Sequence, residues 1–96
     1  MAREVVWTEP AWEDLAAAAE YIARDSEYYA AAFVREVRQA AESLGEFAER
    51  GQIVPEFRDP SVRELLVQPY RLVYRLSASQ VTIIAVIHGA RRRWRS

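Results

Sequence analysis

Two β-rich runs near the end of the chain constrain the fold most: "YRLVYRL" at 70–76 and "VTIIAVIHG" at 81–89. Only the four residues "SASQ" separate them, so the two runs predict neighbouring antiparallel strands. The second run is apolar on both faces over residues 81–87, which is typical of a strand inside a sheet. The run "VRELLV" at 62–67 comes before them across a short "QP" link and completes a three-stranded antiparallel meander.

The first half of the chain predicts one strand and two helices. The β-rich run "REVVW" is followed by Thr8, which is placed to cap a helix that has Pro10 in its first turn. Asp25 or Ser26 is placed to cap a second helix, which we expect to end near Gly45. The apolar stripe of this second helix consists of Tyr29, Phe33, Val37, Ala40, Leu44 and Phe47. The periodicity predicts about 15 residues for the first helix and about 20 for the second.

These elements predict an α+β fold in a single domain over residues 1–96, because a chain of this length builds one hydrophobic core. The helical hairpin is expected to cover the sheet face that carries Tyr70 and Leu72, with Tyr74 in the same core. Arg71 and Arg75 alternate with these residues, so they are expected on the opposite face, which we predict to be uncovered.

Composition excludes several classes of site and function. The chain has no cysteine, so disulfides and thiolate metal sites are absent, and it suits a reducing cytoplasm. Its single histidine and scattered carboxylates match no common metal-ligand spacing, and there is no glycine-rich phosphate loop, so we expect no metal and no cofactor. The longest apolar run, residues 81–87, is far below the roughly 18 residues that a membrane span needs, so no membrane role is expected.

Charge is distributed unevenly along the chain. Residues 1–62 carry 6 arginines and 13 acids, whereas residues 63–96 carry 7 arginines and one acid, Glu64. A basic end of this kind suits an acidic partner, either nucleic acid or an acidic protein segment, although a solvated tail gives the same pattern. All 13 basic residues are arginine, so no lysine is available as a proton donor or nucleophile.

If the uncovered face is a site, it holds Arg71 and Arg75 on the middle strand and His88 at the end of the next, and Arg63 joins from the first strand of the meander if the register allows. The candidate phosphate- or partner-binding residues are Arg63, Arg75, Arg91, Arg92 and Arg93. Arginine forks bind phosphate oxygens in pairs, and His88 titrates near neutral pH, so it is the natural proton carrier. Glu56 is the best candidate for a partner base. A structural role for His88 at the strand end is the competing interpretation.

Four motifs carry a resemblance to a known family. They are "GQIVPE" at 51–56, "RELL" at 63–66, "YRLVYRL" at 70–76 and "VIHGAR" at 86–91. With the order strand, two helices, three strands, the chain resembles the RelE/ParE superfamily of bacterial type II toxins over nearly its whole length. Alanine at position 48 departs from the proline that the family usually has there.

The resemblance implies a toxin that a cognate antitoxin wraps and neutralises in a hetero-oligomer. RelE-like members are metal-independent endoribonucleases that cut messenger RNA in the ribosome. By motif position, Arg71 and His88 match functional residues of some nucleases, with Glu56 a possible base and Arg91 a phosphate ligand. ParE-like members instead bind DNA gyrase and trap it on DNA without a catalytic site of their own.

Three features favour the gyrase-directed alternative. The lysines that some of the nucleases use are absent, and two long helices are expected of a gyrase inhibitor. The acidic first half of the chain is also unlike a protein that binds ribosomal RNA. The interpretation therefore leans towards a protein that is not an enzyme. A module that only binds its antitoxin for regulation is a third possibility.

Overall fold

The computed structural model describes residues 2–89, apart from the side chain of Glu56. Within this range two helices pack on one face of a five-stranded sheet, which is the predicted α+β architecture. The elements are β1 (Glu4–Trp7), α1 (Glu9–Ala23), α2 (Glu27–Ser43), β2 (Gln52–Ile53), a 3-10 turn (Pro55–Phe57), β3 (Val62–Val67), β4 (Tyr70–Leu76) and β5 (Gln80–His88).

Both helices begin at the predicted caps. The Thr8 hydroxyl accepts a hydrogen bond from the Ala11 amide at 3.2 Å, and the Ser26 hydroxyl accepts one from Tyr29 at 3.1 Å. Each bond satisfies an amide that the first helical turn leaves without a partner. Helix α1 has the expected 15 residues, and α2 has 17 because it ends at Ser43, ahead of Gly45.

The sheet order is β1-β5-β4-β3-β2. Strands β3, β4 and β5 form the predicted antiparallel meander. Strand β1 lies parallel to β5, with Glu4 opposite Gln80, so the apolar last strand is internal as its composition predicts. The two-residue strand β2 adds an outer edge beside β3, within a segment that the sequence indicates as loop.

The main core lies between the helices and the sheet face that carries Tyr70, Leu72 and Tyr74, as predicted. Val37 and Leu44 of the α2 stripe are fully buried. The two ends of the stripe are not, since Tyr29 is 66% exposed and Phe47 is 64% exposed. A periodic pattern shows which residues share a helix face and does not show how much of that face is covered.

The opposite face of the sheet is only partly bare, which corrects the expectation that it is uncovered. Val54, from the segment after β2, packs there on Val62 and Val73, and all three are at most 1% exposed. Burying a valine side chain contributes roughly 1.5–3 kcal/mol, enough to hold this segment over the sheet. Phe57 of the 3-10 turn packs against the same cluster. Arg71 therefore lies beside a covered region.

Over residues 2–89 the structure contains no helix that is both long enough and apolar enough to cross a bilayer.

Candidate functional site

Arg71 lies on the sheet face opposite the helices, in the middle of the chain's basic end. It stands between Leu66 on β3 and Ile87 on β5. Its Nη1 atom donates to Oε2 of Glu64 at 2.6 Å, and its Nε atom donates to the Gly89 carbonyl at 3.4 Å. The guanidinium group therefore links strand β3 to the residue that follows β5.

The Arg71–Glu64 ion pair is largely withdrawn from water. The Glu64 side chain is 12% exposed and the Arg71 side chain 23% exposed. Screening by solvent is weak at such depth, so a short charge-assisted hydrogen bond there is stronger than a surface ion pair. Sequence reasoning did not assign Glu64 to the site. The signal was present, since Glu64 is the one acid among seven arginines in residues 63–96.

Arg75 lies on the same face and also has an acidic neighbour. Its Nη2 atom is 3.9 Å from Oδ2 of Asp59, and both side chains are about half exposed. The pKa of Asp59 is lowered, first because the Ser61 hydroxyl and amide donate to its carboxylate. An exposed pair at this distance contributes little to stability, so Arg75 remains accessible to a ligand.

Arg63 is on the helix side of the sheet and does not join Arg71. It stands opposite Tyr74 on β4, and its Nη1 atom donates to the carbonyl oxygens of Glu49 and Gly51 at 3.2 and 3.0 Å. Its Nε atom is buried without a hydrogen-bond partner. The expectation that Arg63 shares the site was conditional on the strand register, and the register excludes it. The side chain supports the segment between α2 and β2.

His88 is also on the helix side, which corrects the expectation that it meets Arg71. It pairs with Tyr70, and the two rings are 5.2 Å apart in an edge-to-face arrangement. The centroid of the Tyr70 ring is also 5.0 Å from the centroid of the Phe33 ring on α2. Arg71 points to the opposite face of the same strand, so the predicted proton carrier and the predicted phosphate ligand are separated by the sheet.

The cause of this separation is a bulge in β5. Val73 pairs with Ala85 and Tyr74 pairs with Ile83, so Ile84 is an extra residue in the ladder. One extra residue moves every later side chain to the other face. Strict alternation from Val81 places His88 beside Arg71, whereas the bulge places it beside Tyr70.

The remaining candidates have no described side chain. Glu56 belongs to the 3-10 turn, and only its backbone is described. Arg91, Arg92 and Arg93 lie outside the described residues. Over residues 2–89 no three histidine and acidic side chains are close enough together to hold a metal ion.

Comparison with known proteins identifies the family. The family model described as "ParE toxin of type II toxin-antitoxin system, parDE" matches residues 5–93. The chain belongs to this ParE toxin family. The match includes both helices and strands β3 to β5, together with the basic residues up to Arg93.

Relatives of this ParE-family toxin support the assignment. It is 36% identical over 89 residues to the protein named Toxin RelE2 of Caulobacter vibrioides, covering 92% of this chain and 97% of the relative. The toxin is thus a type II toxin of the RelE/ParE superfamily, and membership implies a cognate antitoxin.

Two solved structures share the fold. One is titled "Chromosomal ParDE TA system from P. aeruginosa" and has 22% sequence identity, a TM-score of 0.74 and coverage of 91% of this chain and 96% of the other. The second is titled "YoeB/ParE toxin from Agrobacterium tumefaciens" and has 18% identity, a TM-score of 0.59 and coverage of 88% and 96%. These likenesses confirm the predicted superfamily fold.

Proposed function

We propose that this ParE-family toxin arrests growth by inhibiting DNA gyrase and has no catalytic site of its own. One observation supports this choice over a ribonuclease. Arg71 and His88 are on opposite faces of the sheet, and Arg71 is held by Glu64 at 2.6 Å.

The chemistry of RNA cleavage explains why that observation matters. A metal-independent ribonuclease needs a base for the 2′-hydroxyl proton, an acid for the leaving 5′-oxygen and cations around one phosphate. His88, whose ring lies against Tyr70, cannot reach a phosphate held by Arg71 without a change in strand register. A gyrase inhibitor has no need of such a constellation.

A ribosome-dependent endoribonuclease is the second candidate. Its support is the motif match at Arg71 and His88, together with Glu56 as a candidate base. A nuclease needs Arg71 and His88, whereas the proposed gyrase inhibitor does not, so variants of these two residues distinguish the two functions.

The deciding experiment measures both activities with the same purified protein. We expect the wild-type toxin to block supercoiling of relaxed plasmid by gyrase and to leave ribosome-bound messenger RNA intact. His88→Ala and Arg71→Ala are expected to inhibit gyrase as the wild type does, provided that thermal unfolding shows both variants folded. Messenger RNA cleavage that disappears in either variant would overturn the proposal and establish the nuclease.

The cognate antitoxin is proposed to form a hetero-oligomer with the toxin. The uneven charge supports an acidic partner segment, because residues 63–96 carry 7 arginines and one acid. We expect a short reading frame beside this gene to encode the antitoxin. Co-expression should restore growth, and the two proteins should co-purify at low salt. Growth arrest that persists despite a co-expressed neighbour would contradict that neighbour's assignment.

A further inference from the structure

Among the described residues, both β4 arginines on the helix-free face of the sheet are paired with acids. Arg71 faces Glu64 at 2.6 Å, and Arg75 faces Asp59 at 3.9 Å. A nucleic-acid surface normally carries uncompensated positive charge. This face therefore has the arginines that a phosphate site needs and lacks the net positive charge of one.

The two ion pairs differ in how tightly the carboxylate binds the guanidinium group. Asp59 is about half exposed and its contact with Arg75 is long, so water or an anion can displace it. The Glu64 side chain is 12% exposed, and its Oε2 atom lies 2.6 Å from Nη1 of Arg71. A phosphate approaching Arg71 has to remove Glu64 or lie against a second negative charge.

Neighbouring residues fix Glu64 in this position. On β3 it stands between Gln52 of β2 and the fully buried Val73 of β4, so its backbone is paired on both sides. Arg71 is oriented as well, because Nε donates to the Gly89 carbonyl while Nη1 donates to Glu64. The Gly89 contact remains when Glu64 is neutralised, so Arg71 keeps part of its orientation and loses less side-chain freedom on binding a phosphate.

We propose that Glu64 is a specificity-determining residue that keeps Arg71 from binding the phosphodiester of RNA. The carboxylate acts as an internal competitor for the guanidinium fork. Neutralising Glu64 converts the same face into a phosphate-binding site centred on Arg71. This inference does not depend on gyrase as the target, because it concerns RNA binding alone.

The test measures binding of a fluorescently labelled single-stranded RNA oligonucleotide to the full chain by anisotropy, at several salt concentrations. Glu64→Gln keeps the shape of the side chain and removes its charge. We expect the variant to bind about tenfold more tightly than the wild type, the effect of one good charge-assisted hydrogen bond. The slope of log affinity against log salt is expected to steepen by about 0.7, the value for one additional phosphate contact on a single strand.

Two matched variants separate this effect from a general loss of negative charge. Glu4→Gln removes an exposed carboxylate from β1, opposite Gln80, without touching Arg71, and we expect neither the tighter binding nor the steeper slope. The double variant Glu64→Gln with Arg71→Ala should bind as weakly as the wild type. A double variant that keeps the gain, or a Glu64→Gln protein that binds like the wild type, would refute the proposal.

Arg71→Ala alone provides a test that does not depend on the folding of Glu64→Gln. Because Glu64 already occupies the guanidinium group, the single variant should bind RNA with wild-type affinity. A marked loss of RNA binding would show that Arg71 is available in the wild type and would overturn the proposal. Far-UV circular dichroism of each variant confirms that the compared proteins are folded.

Discussion

At the scale of single residues, Tyr74 joins the sheet to the segment that leads out of α2. Its side chain is fully buried, and its hydroxyl donates to the Ala48 carbonyl at 2.7 Å and accepts from the Gly51 amide at 2.9 Å. Gly51 has no room for a side chain, since a Cβ atom would lie 2.6 Å from the Glu64 carbonyl oxygen and from the Tyr74 hydroxyl. The hydroxyl of Tyr74 therefore holds the backbone of this segment directly.

Replacing Tyr74 with phenylalanine should destabilise the protein by about 1–3 kcal/mol, because it leaves the Ala48 carbonyl and the Gly51 amide without their partner. Urea denaturation measures the difference. Phe33→Leu is a control for a change in aromatic packing elsewhere in the same core. A Tyr74→Phe protein as stable as the wild type would mean that the hydroxyl does not hold this segment.

The same residue predicts a dependence of stability on alkaline pH. Burial raises the pKa of Tyr74 above its ordinary value. In the unfolded chain the phenol ionises near pH 10, so the unfolded state loses this proton first. The stabilisation is complete below about pH 10 and is lost as pH rises through the folded-state pKa. The free energy of unfolding should thus fall more steeply as the pH rises above about 10 in the wild type than in Tyr74→Phe. Equal slopes in the two proteins would contradict this role of Tyr74.

At the scale of elements, the bulge in β5 determines what the site contains. Beyond Ile83 the strand has no β1 partner, and the Val86 amide instead donates to the Asp14 carboxylate of α1 at 3.0 Å. The Thr8 hydroxyl donates to the Ile83 carbonyl at 2.9 Å, at the point where β1 ends. Helix α1 and its cap Thr8 therefore supply hydrogen-bond partners to β5 where β1 ends.

Asp14→Ala should lower the free energy of unfolding by about 1–3 kcal/mol, because the partly buried Val86 amide loses its acceptor. Glu13→Ala is the matched control, since the neighbouring carboxylate is exposed and its removal should change stability by less than about 0.5 kcal/mol. Both values come from urea denaturation. Equal effects of the two substitutions would show that the Asp14 hydrogen bond does not stabilise the bulged strand.

The sequence predicts the elements well because each carries a local signal. Thr8 and Ser26 mark the helix starts, and alternation identifies Tyr70, Leu72 and Tyr74 as core. The side of the sheet on which His88 lies has no such signal. Residues 81–87 are apolar on both faces, so an extra residue at Ile84 leaves no trace in the pattern.

Long-range contacts account for the other misses. The register that turns Arg63 towards Glu49 and Gly51 depends on the pairing of β3 with β4, which alternation alone does not fix. The cover that Val54 provides over Val62 and Val73 comes from a segment whose prolines indicate only a loop. Glu64 stands out as the one acid among the arginines of residues 63–96, but the sequence does not show which of these arginines lies within reach of it.

At the scale of the whole molecule, the first and last described strands pair inside one sheet. Strand β5 lies between β1 and β4, and Glu4 pairs with Gln80. Pairing between residues so distant in sequence makes the core depend on the complete chain, and folding of such topologies is slow relative to that of helical bundles.

A protein that stops after Ser79 should therefore show no cooperative thermal unfolding, because among the described strands β1 loses its partner and β4 loses one of two. Addition of a synthetic peptide that spans residues 80–96 should restore a cooperative transition and the far-UV signal of the sheet. A peptide of the same composition in scrambled order is the control. A cooperative transition in the shortened protein alone would show that the core closes without β5.

The place of β5 also bears on when the toxin can act during its own synthesis. A ribosome that has reached Ser79 has made four of the five strands that the structure describes and still lacks the one between β1 and β4. We expect the nascent polypeptide to stay harmless until β5 has left the ribosome, so that messages interrupted before β5 yield no poisonous fragments.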